Sequence, residues 1–309
     1  MQIFNIVFPI FAIAILGYVL AYRNFFDGEE ISGIARFVFM VAIPLMLFDS
    51  MANIDLPERI EWGFLLSYYL AAFTVYALGM LLGRTNFAYT LSEQGVFGLG
   101  CSYGNSVLIG IPVTLSAFGD EGELPLFLLI SVHSGLMFFI VTVIAETGAA
   151  GESSYLEIAF LSFKKIATNT IVLGLMAGLL FNWLALDLPE AIDNTISWIG
   201  RAALPCALFV LGASLSRYKL AGHFSQAGTV IALKMALHPL LVWILAFYVF
   251  QVEYVWGAVA VLIAAMPVGI NSYVFAEKYQ VCIAPLATAI LISTTLAMGS
   301  LSVVLSLLL

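Results

Sequence analysis

Apolar runs of about twenty residues recur along the whole chain and are separated by short polar connections. A run of this length crosses the hydrocarbon core of a bilayer as a helix. Hydrophobic residues make up 62% of the sequence and charged residues only 10%, which supports this interpretation. We therefore predict an all-α integral membrane protein with ten spans, at residues 2–21, 32–51, 63–83, 95–118, 124–146, 166–184, 195–215, 227–250, 255–277 and 284–309.

The fourth and ninth spans are each interrupted by a proline with an asparagine close by. The runs are Gly104–Pro112 and Ala265–Tyr273. A proline inside a span removes one helical hydrogen bond and frees a carbonyl, which is tolerated only where protein or a water-filled cavity satisfies it. Paired breaks in the two halves of a chain are the best sequence indication of a transporter's substrate site. The pattern predicts a protein that moves a small solute across a membrane.

The prolines also recur at a nearly constant spacing, which indicates an internal repeat. Pro44 and Pro205 are 161 residues apart (205 − 44), and Pro112 and Pro267 are 155 apart (267 − 112). We therefore predict two five-helix repeats, in residues 1–150 and 151–309. Because five is odd, the second repeat enters the membrane from the opposite side, so the repeat is inverted.

The chemistry of helix ends favours an anion at the two breaks. Crossed broken helices point half-helix N-termini, each with about +0.5 charge, toward one place in the middle of the membrane. Their free N–H groups can bind an anion without a fixed cation, and Asn105 and Asn271 add amide donors. Tyr103 and Tyr273 join this candidate site because each lies two residues from one of the asparagines. The alternative, in which the prolines only kink the helices to fit their neighbours, stays open.

Basic residues are distributed unevenly among the connections, although the net charge of −8 says little about a partner. Arg59 lies in an even-numbered connection, and Arg201 lies just inside span 7. Eight others lie in or beside odd-numbered connections: Arg23, Arg36, Arg84, Lys164, Lys165, Arg217, Lys219 and Lys278. The positive-inside rule then predicts that both termini lie outside the cytoplasm. We interpret the acidic outer loops as solvated surface.

Four ionisable side chains lie within apolar sequence, where such groups are candidates for function. One of them, Asp49, lies toward the outer end of span 2, and we interpret it as interfacial. His133 is in span 5, and Lys234 and His238 share one face of span 8 at a spacing of four residues. They could form a proton relay or a sensor of substrate charge. They could equally be structural histidines with satisfied hydrogen bonds and a lysine that extends to the membrane surface. The sequence leaves both possibilities open.

Other function classes lack their signatures. The chain has no His-Glu-x-x-His motif, and Asp49 is the only aspartate in any predicted span, whereas an intramembrane aspartyl protease needs two. We expect no enzymatic activity, no metal and no cofactor. A cation–proton exchanger with a similar crossover is the main alternative, but it would need acidic residues near the breaks. A passive channel is a further alternative, although no filter or charged ring is evident.

The interrupted spans resemble motifs of a known family. Asn105–Pro112 is similar to the fourth-span Asn-x-x-x-x-Gly-Ile-Pro stretch of the auxin efflux carrier family, which includes plant PIN-type carriers and bacterial malonate-type transporters. Met266–Ile270 and Val274–Tyr279 resemble its ninth-span Leu-Pro-x-Gly-Ile and Val-Phe-Ala-x-x-Tyr patterns. Cys206–Gly212 resembles its seventh-span Ala-x-Phe-x-Leu-Gly pattern. The similarity runs through most of the chain.

This resemblance implies a crossing of spans 4 and 9 and an elevator mechanism. In such a mechanism, spans 1, 2, 6 and 7 form a static scaffold, while spans 3–5 and 8–10 form a moving transport domain. The resemblance also implies a homodimer and a site for a carboxylate-bearing substrate, such as an auxin-like aryl acid or a dicarboxylate. The implied site comprises Asn105, Pro112 and Pro267, and we include their motif neighbours Ile111, Val268 and Gly269.

Two departures from the family pattern limit what can be carried over. The Lys-Asn-Pro that often precedes the sixth span reads Lys164-Lys165-Ile166 here, so we place no site there. The long cytoplasmic loop of many plant carriers is missing, because the connection between spans 5 and 6 is short. We therefore expect a prokaryotic protein of the inner membrane, with the lipid bilayer and a small organic anion as partners and no nucleic acid.

Overall fold

A computed structural model describes residues 2–54, 61–148, 160, 164, 167–218 and 222–309. Every regular element within these residues is helical, so the all-α prediction is confirmed. The helices are α1 (Gln2–Tyr22), α2 (Gly28–Phe37), α3 (Ile43–Asn53), α4 (Trp62–Phe87), α5 (Leu91–Ser102), α6 (Ile111–Phe118), α7 (Glu123–Gly148), α8 (Thr170–Trp183), α9 (Glu190–Leu215), α10 (Phe224–Ala232), α11 (His238–Trp243), α12 (Tyr254–Ala264), α13 (Ile270–Tyr279) and α14 (Ile283–Leu308).

Seven helical stretches in the described residues are long and apolar enough to cross a membrane. They are Ile3–Tyr22, Gly28–Asn53, Trp62–Phe87, Ser106–Gly148, Glu190–Leu215, Phe224–Val249 and Ile283–Leu308, and the shorter apolar helices are α8 and α12. The predicted fourth and ninth spans are not single long helices, because both are broken. The predicted sixth span begins at residue 166, outside the described residues. The count of ten therefore stays a prediction.

Three prolines follow five-residue π turns, each with one residue between the turn and the proline. They are Pro44, Pro112 and Pro239, at the start of α3, α6 and α11. In each case the N–H of the residue before the proline bonds to the carbonyl five residues back. The wider turn relieves the clash between the proline ring and the preceding turn. The helices therefore continue through these prolines.

The helices pack in two groups. In the first group, α1 packs along α9 and α3 packs along α8, while α9 also contacts α3. Gly212 lies directly against the backbone of α1, and Gly174 lies against the backbone of α3, so a Cβ at either position would collide. The second group contains α4, α5, α7 and the helices from α10 to α14. The π turn at Ser106–Gly110 and α6 lie where the two groups meet, against α9 and α1.

Candidate functional site

Both predicted breaks are present, but the first lies upstream of its proline. The helix α5 ends at Ser102, residues 103–105 are not helical, and helix resumes at Ser106. The second break covers residues 265–269, between α12 and α13. Pro112 lies seven residues beyond Asn105, within helical structure, because the π turn accommodates it. The interruption in span 4 is therefore made by Tyr103-Gly104-Asn105.

The two breaks cross in antiparallel fashion. Gly104 and Val268 form an isolated β-bridge. Two backbone hydrogen bonds flank it, from the Asn105 N–H to the Pro267 carbonyl and from the Gly269 N–H to the Tyr103 carbonyl, both at 2.9 Å. Gly269 also allows close contact, since a Cβ there would lie 2.6 Å from the Tyr103 ring. The breaks thus satisfy part of each other's backbone, as a buried irregular segment requires.

Four helix ends meet at this crossover. The C-terminal ends of α5 and α12 enter it, and the N-terminal ends of α13 and of the helix that begins at Ser106 leave it. The crossover therefore combines partial positive and partial negative ends, each of about half a charge. The sequence interpretation considered only the positive ends.

Asn105 presents an unpaired amide at the crossover. Its side chain is 6% exposed, and its Nδ2 has no hydrogen-bond partner among the described residues. Its backbone is satisfied, since the carbonyl accepts bonds from the N–H groups of Ile109 and Gly110. Leaving a buried donor unpaired costs roughly 1–3 kcal/mol, which a bound acceptor would recover. Asn105 is therefore suited to bind an acceptor group.

Asn271 is placed differently. It is exposed, and its Nδ2 donates to the Tyr103 hydroxyl at 3.2 Å. That hydroxyl also shares a 2.8 Å hydrogen bond with Ser134, and the Tyr103 ring stacks on His133 at 4.9 Å between centroids. Tyr103 is 4% exposed and ties α13 to α7. Its geometry is that of a residue that positions Asn271.

The remaining predicted site residues occupy two environments. Ile111, Pro112, Pro267 and Val268 are buried, and the N–H of Val268 donates to the Ser293 hydroxyl at 3.2 Å. The Tyr273 ring instead meets the Tyr218 ring just after α9, at 4.7 Å between centroids. Tyr273 therefore lies at the contact between the two helix groups.

Lys234 lies at the crossover rather than at the membrane surface. It is 0% exposed, and its Nζ donates to the carbonyl of Ala264, the last residue of α12, at 2.5 Å. A Cβ on Gly104 would lie 3.1 Å from Nζ, so glycine at this position allows the approach. The alternative of a lysine that extends to the surface is wrong. The sequence interpretation, in which free N–H groups can bind an anion without a fixed cation, did not foresee an amine at this place.

His133 and His238 are buried beside aromatic hydroxyls. They are 2% and 0% exposed, and the Tyr68 ring lies 5.3 Å from one and 5.4 Å from the other. No ring nitrogen of either histidine, and neither hydroxyl of Tyr68 and Tyr69, has a hydrogen-bond partner in the described part of the chain. The alternative, in which both histidines are structural and have satisfied hydrogen bonds, therefore does not hold in the described residues. Sequence reasoning missed the tyrosines, whose only signal was a hydroxyl pair inside an apolar span.

An acidic cavity of about 840 Å³ lies away from the crossover. Five carboxylates line it. Asp49 is on α3, Asp120 and Glu121 precede α7, Glu123 begins α7, and Glu253 precedes α12. The length of α12 separates this cavity from the crossover by about 15 Å. In the residues that the structure describes, no three acidic, histidine or cysteine side chains are grouped so as to hold a metal.

Comparison with known proteins decides the family. The family described as membrane transport protein matches residues 2–305. The chain is a membrane transporter of the auxin efflux carrier family. The resemblance seen in the fourth and ninth spans is thereby confirmed.

The relatives of this transporter align over almost their full lengths. A "Putative malonate transporter" of Rhizobium meliloti (strain 1021) is 25% identical over 97% of this chain and 93% of its own length. Auxin efflux carrier component 8 of Arabidopsis thaliana is 24% identical over 94% of this chain and 93% of its own. An "Uncharacterized transporter" of Methanothermobacter thermautotrophicus is 27% identical over 96% and 95%.

Proposed function

We propose that this membrane transporter carries small organic carboxylates and binds them at the crossover. The observation that carries the proposal is the buried, unpaired Nδ2 of Asn105. An ionised carboxylate is an acceptor only, so it complements an amide donor. The ammonium group of Lys234 and the N-terminal end of α13 supply positive charge at the same place.

The names of the relatives support a carboxylate. Malonate and auxin, which those names mention, share a carboxylate and little else. A site that holds one carboxylate through an amide and a cation would accept either class, and the rest of the site would discriminate between a second carboxylate and an aromatic ring. We therefore propose dicarboxylates and aryl acids as the substrates to test.

We further propose that the protein works as an elevator built from an inverted repeat. In such a repeat, span 1 corresponds to span 6, and span 2 corresponds to span 7. The packing of span 1 against span 7 should then have a counterpart in the packing of span 6 against span 2. Both pairs are prominent contacts, as α1 with α9 and α8 with α3. This symmetry supports the repeat, and the two helix groups match the proposed scaffold and transport domain. The proposed homodimer, inner-membrane location and outer termini rest on the family resemblance and the basic residues.

The cation–proton exchanger is less well supported. Such a protein would need a carboxylate where the helices cross. In the described residues the carboxylates of the acidic cavity lie about 15 Å away, at the far end of α12. The groups at the crossover are an amide, a lysine and backbone N–H groups.

Counterflow in proteoliposomes tests the proposed function. Vesicles loaded with unlabelled malonate or indole-3-acetate should take up the labelled compound faster than unloaded vesicles, with saturation. A saturable exchange also excludes a passive channel. A purified, folded protein that exchanges neither compound would contradict the proposal.

A further inference from the structure

Lys234 is a buried cation without a countercharge. Among the described residues it is the only lysine, arginine, aspartate or glutamate that is buried. The ion pair found in that part of the chain joins Lys278 to Glu146 at 3.8 Å, far along α13 and α7 from the crossover. A buried ammonium without a partner pays a large desolvation penalty. The residue is therefore expected either to acquire a countercharge or to give up its proton.

The substrate would be that countercharge. The Nζ of Lys234 lies against Gly104, and the next residue is Asn105, whose amide is free to hold a carboxylate. A carboxylate bound there would lie beside the ammonium and stabilise it. When the substrate leaves, the same ammonium is again without a countercharge.

We propose that Lys234 carries one proton across the membrane with each substrate molecule. This inference rests on the proposed function. Lys234 takes up a proton on the side where the carboxylate binds and returns it to water on the side where the carboxylate dissociates. The empty transport domain then returns with a neutral amine. The net reaction is the movement of one carboxylate and one proton in the same direction.

The surroundings of Lys234 suit a proton that is gained and lost. A neutral amine still donates an N–H, so the bond to Ala264 survives deprotonation. The titratable groups on the elements around it are His238, His133, Tyr68, Tyr69, Tyr76, Tyr103 and Cys101. Arg84, Glu93, Glu253 and Tyr254 lie farther away, at or beside the distant ends of α4, α5 and α12. The Tyr68 ring contacts both histidines, so His133 and His238 belong to one buried cluster. Because adjacent buried cations repel, a positive charge on Lys234 disfavours a positive charge on either histidine.

Charge neutralisation also explains why a cation is useful in a moving domain. Moving an unpaired charge through the middle of a membrane protein is costly. A monocarboxylate that crosses together with a protonated Lys234 carries no net charge, and malonate carries one negative charge instead of two. The return of the neutral amine carries none.

Malonate accumulation in proteoliposomes tests the proposal. Malonate is chosen because it crosses lipid poorly on its own, and protein-free vesicles correct for leakage. With the membrane potential clamped at zero and the lumen one pH unit more alkaline, coupling to one proton predicts about ten-fold accumulation by the wild type. Wild-type protein that equilibrates malonate without responding to the pH gradient would overturn the proposal, and this outcome needs no variant.

Two substitutions locate the effect at Lys234. K234R keeps the positive charge but cannot release the proton, so it should lose the ten-fold pH-driven accumulation while some malonate counterflow remains. K234Q also removes the cation from the site, so it should weaken malonate binding as well as abolish pH-driven accumulation. K278Q, which removes an exposed lysine, should accumulate malonate as the wild type does. Retention of pH-driven accumulation by K234Q would assign the proton to another group. Absence of malonate and indole-3-acetate counterflow in the wild type would instead contradict the proposed function itself.

Discussion

At the scale of single residues, the two crossover asparagines have different roles. The sequence makes them look equivalent, because each stands next to a break. The structure leaves the Asn105 amide buried and unpaired, whereas the Asn271 amide is held by the Tyr103 hydroxyl. Neither environment could be predicted from the sequence, since the partners of each amide depend on which side chains the other half of the chain brings into contact. The depth of Lys234 was unpredictable for the same reason.

Replacing Tyr103 with phenylalanine tests whether this residue positions Asn271. Y103F keeps the ring stacked on His133 but removes the hydroxyl that bonds Asn271 and Ser134. The lost hydrogen bonds should cost about 1 kcal/mol each, so the melting temperature should fall. Carboxylate affinity should change by less than about three-fold, a difference below 1 kcal/mol.

The control for this substitution is Y254F, which removes a hydroxyl bonded to the Leu308 carbonyl away from the crossover. It should lower the melting temperature without changing affinity. If Y103F lost as much affinity as a substitution at Asn105, Tyr103 would have to touch the substrate directly.

At the scale of helices, the existence of the two breaks was predictable and their position was not. The proline and glycine content of spans 4 and 9 indicated interruption, and the crossing is present. However, Pro112 was a misleading marker, because a π turn lets the helix pass through it. The actual break at Tyr103–Asn105 has no proline. A local widening of this kind depends on the space that neighbouring helices leave, which hydrophobic periodicity does not record.

Crosslinks between the two helix groups test the elevator. After replacement of the native cysteines, the pair S50C and E123C joins α3 to α7, where the native side chains lie 3.5 Å apart. If the groups move as separate bodies, this crosslink should abolish transport while carboxylate binding remains.

The matched control joins two helices of the same group. The rings of Phe48 and Phe181 lie 5.6 Å apart, so F48C with F181C links α3 to α8. Transport should survive this crosslink. Normal transport by the protein crosslinked through S50C and E123C would exclude relative motion between the two helix groups.

At the scale of the whole molecule, charge is arranged in keeping with the proposed orientation. The acidic cavity is lined by the ends of α3, α7 and α12 that the distribution of basic residues assigns to the outer side. Class and family were predictable from hydropathy and motifs, because both are properties of long stretches of sequence. Orientation follows only from the distribution of eight basic residues against two.

Reporter fusions test this orientation. A phosphatase that is active only outside the cytoplasm should be active when fused to either terminus and silent when fused after Lys219. The reverse pattern would contradict both the topology and the inverted repeat, since an odd number of spans per repeat fixes their relation.

The central claim is that the Asn105 amide binds a carboxylate, and calorimetry on purified protein tests it most directly. N105A removes the donor from a buried site, and loss of one hydrogen bond to a charged group should cost roughly 1.5–3 kcal/mol, about ten-fold to more than a hundred-fold in affinity. N105D should bind still more weakly at neutral pH, N271A should lose less, and N194A, at an exposed position in α9, should bind as the wild type does. Unchanged malonate or indole-3-acetate affinity in a well-folded N105A protein would contradict the account.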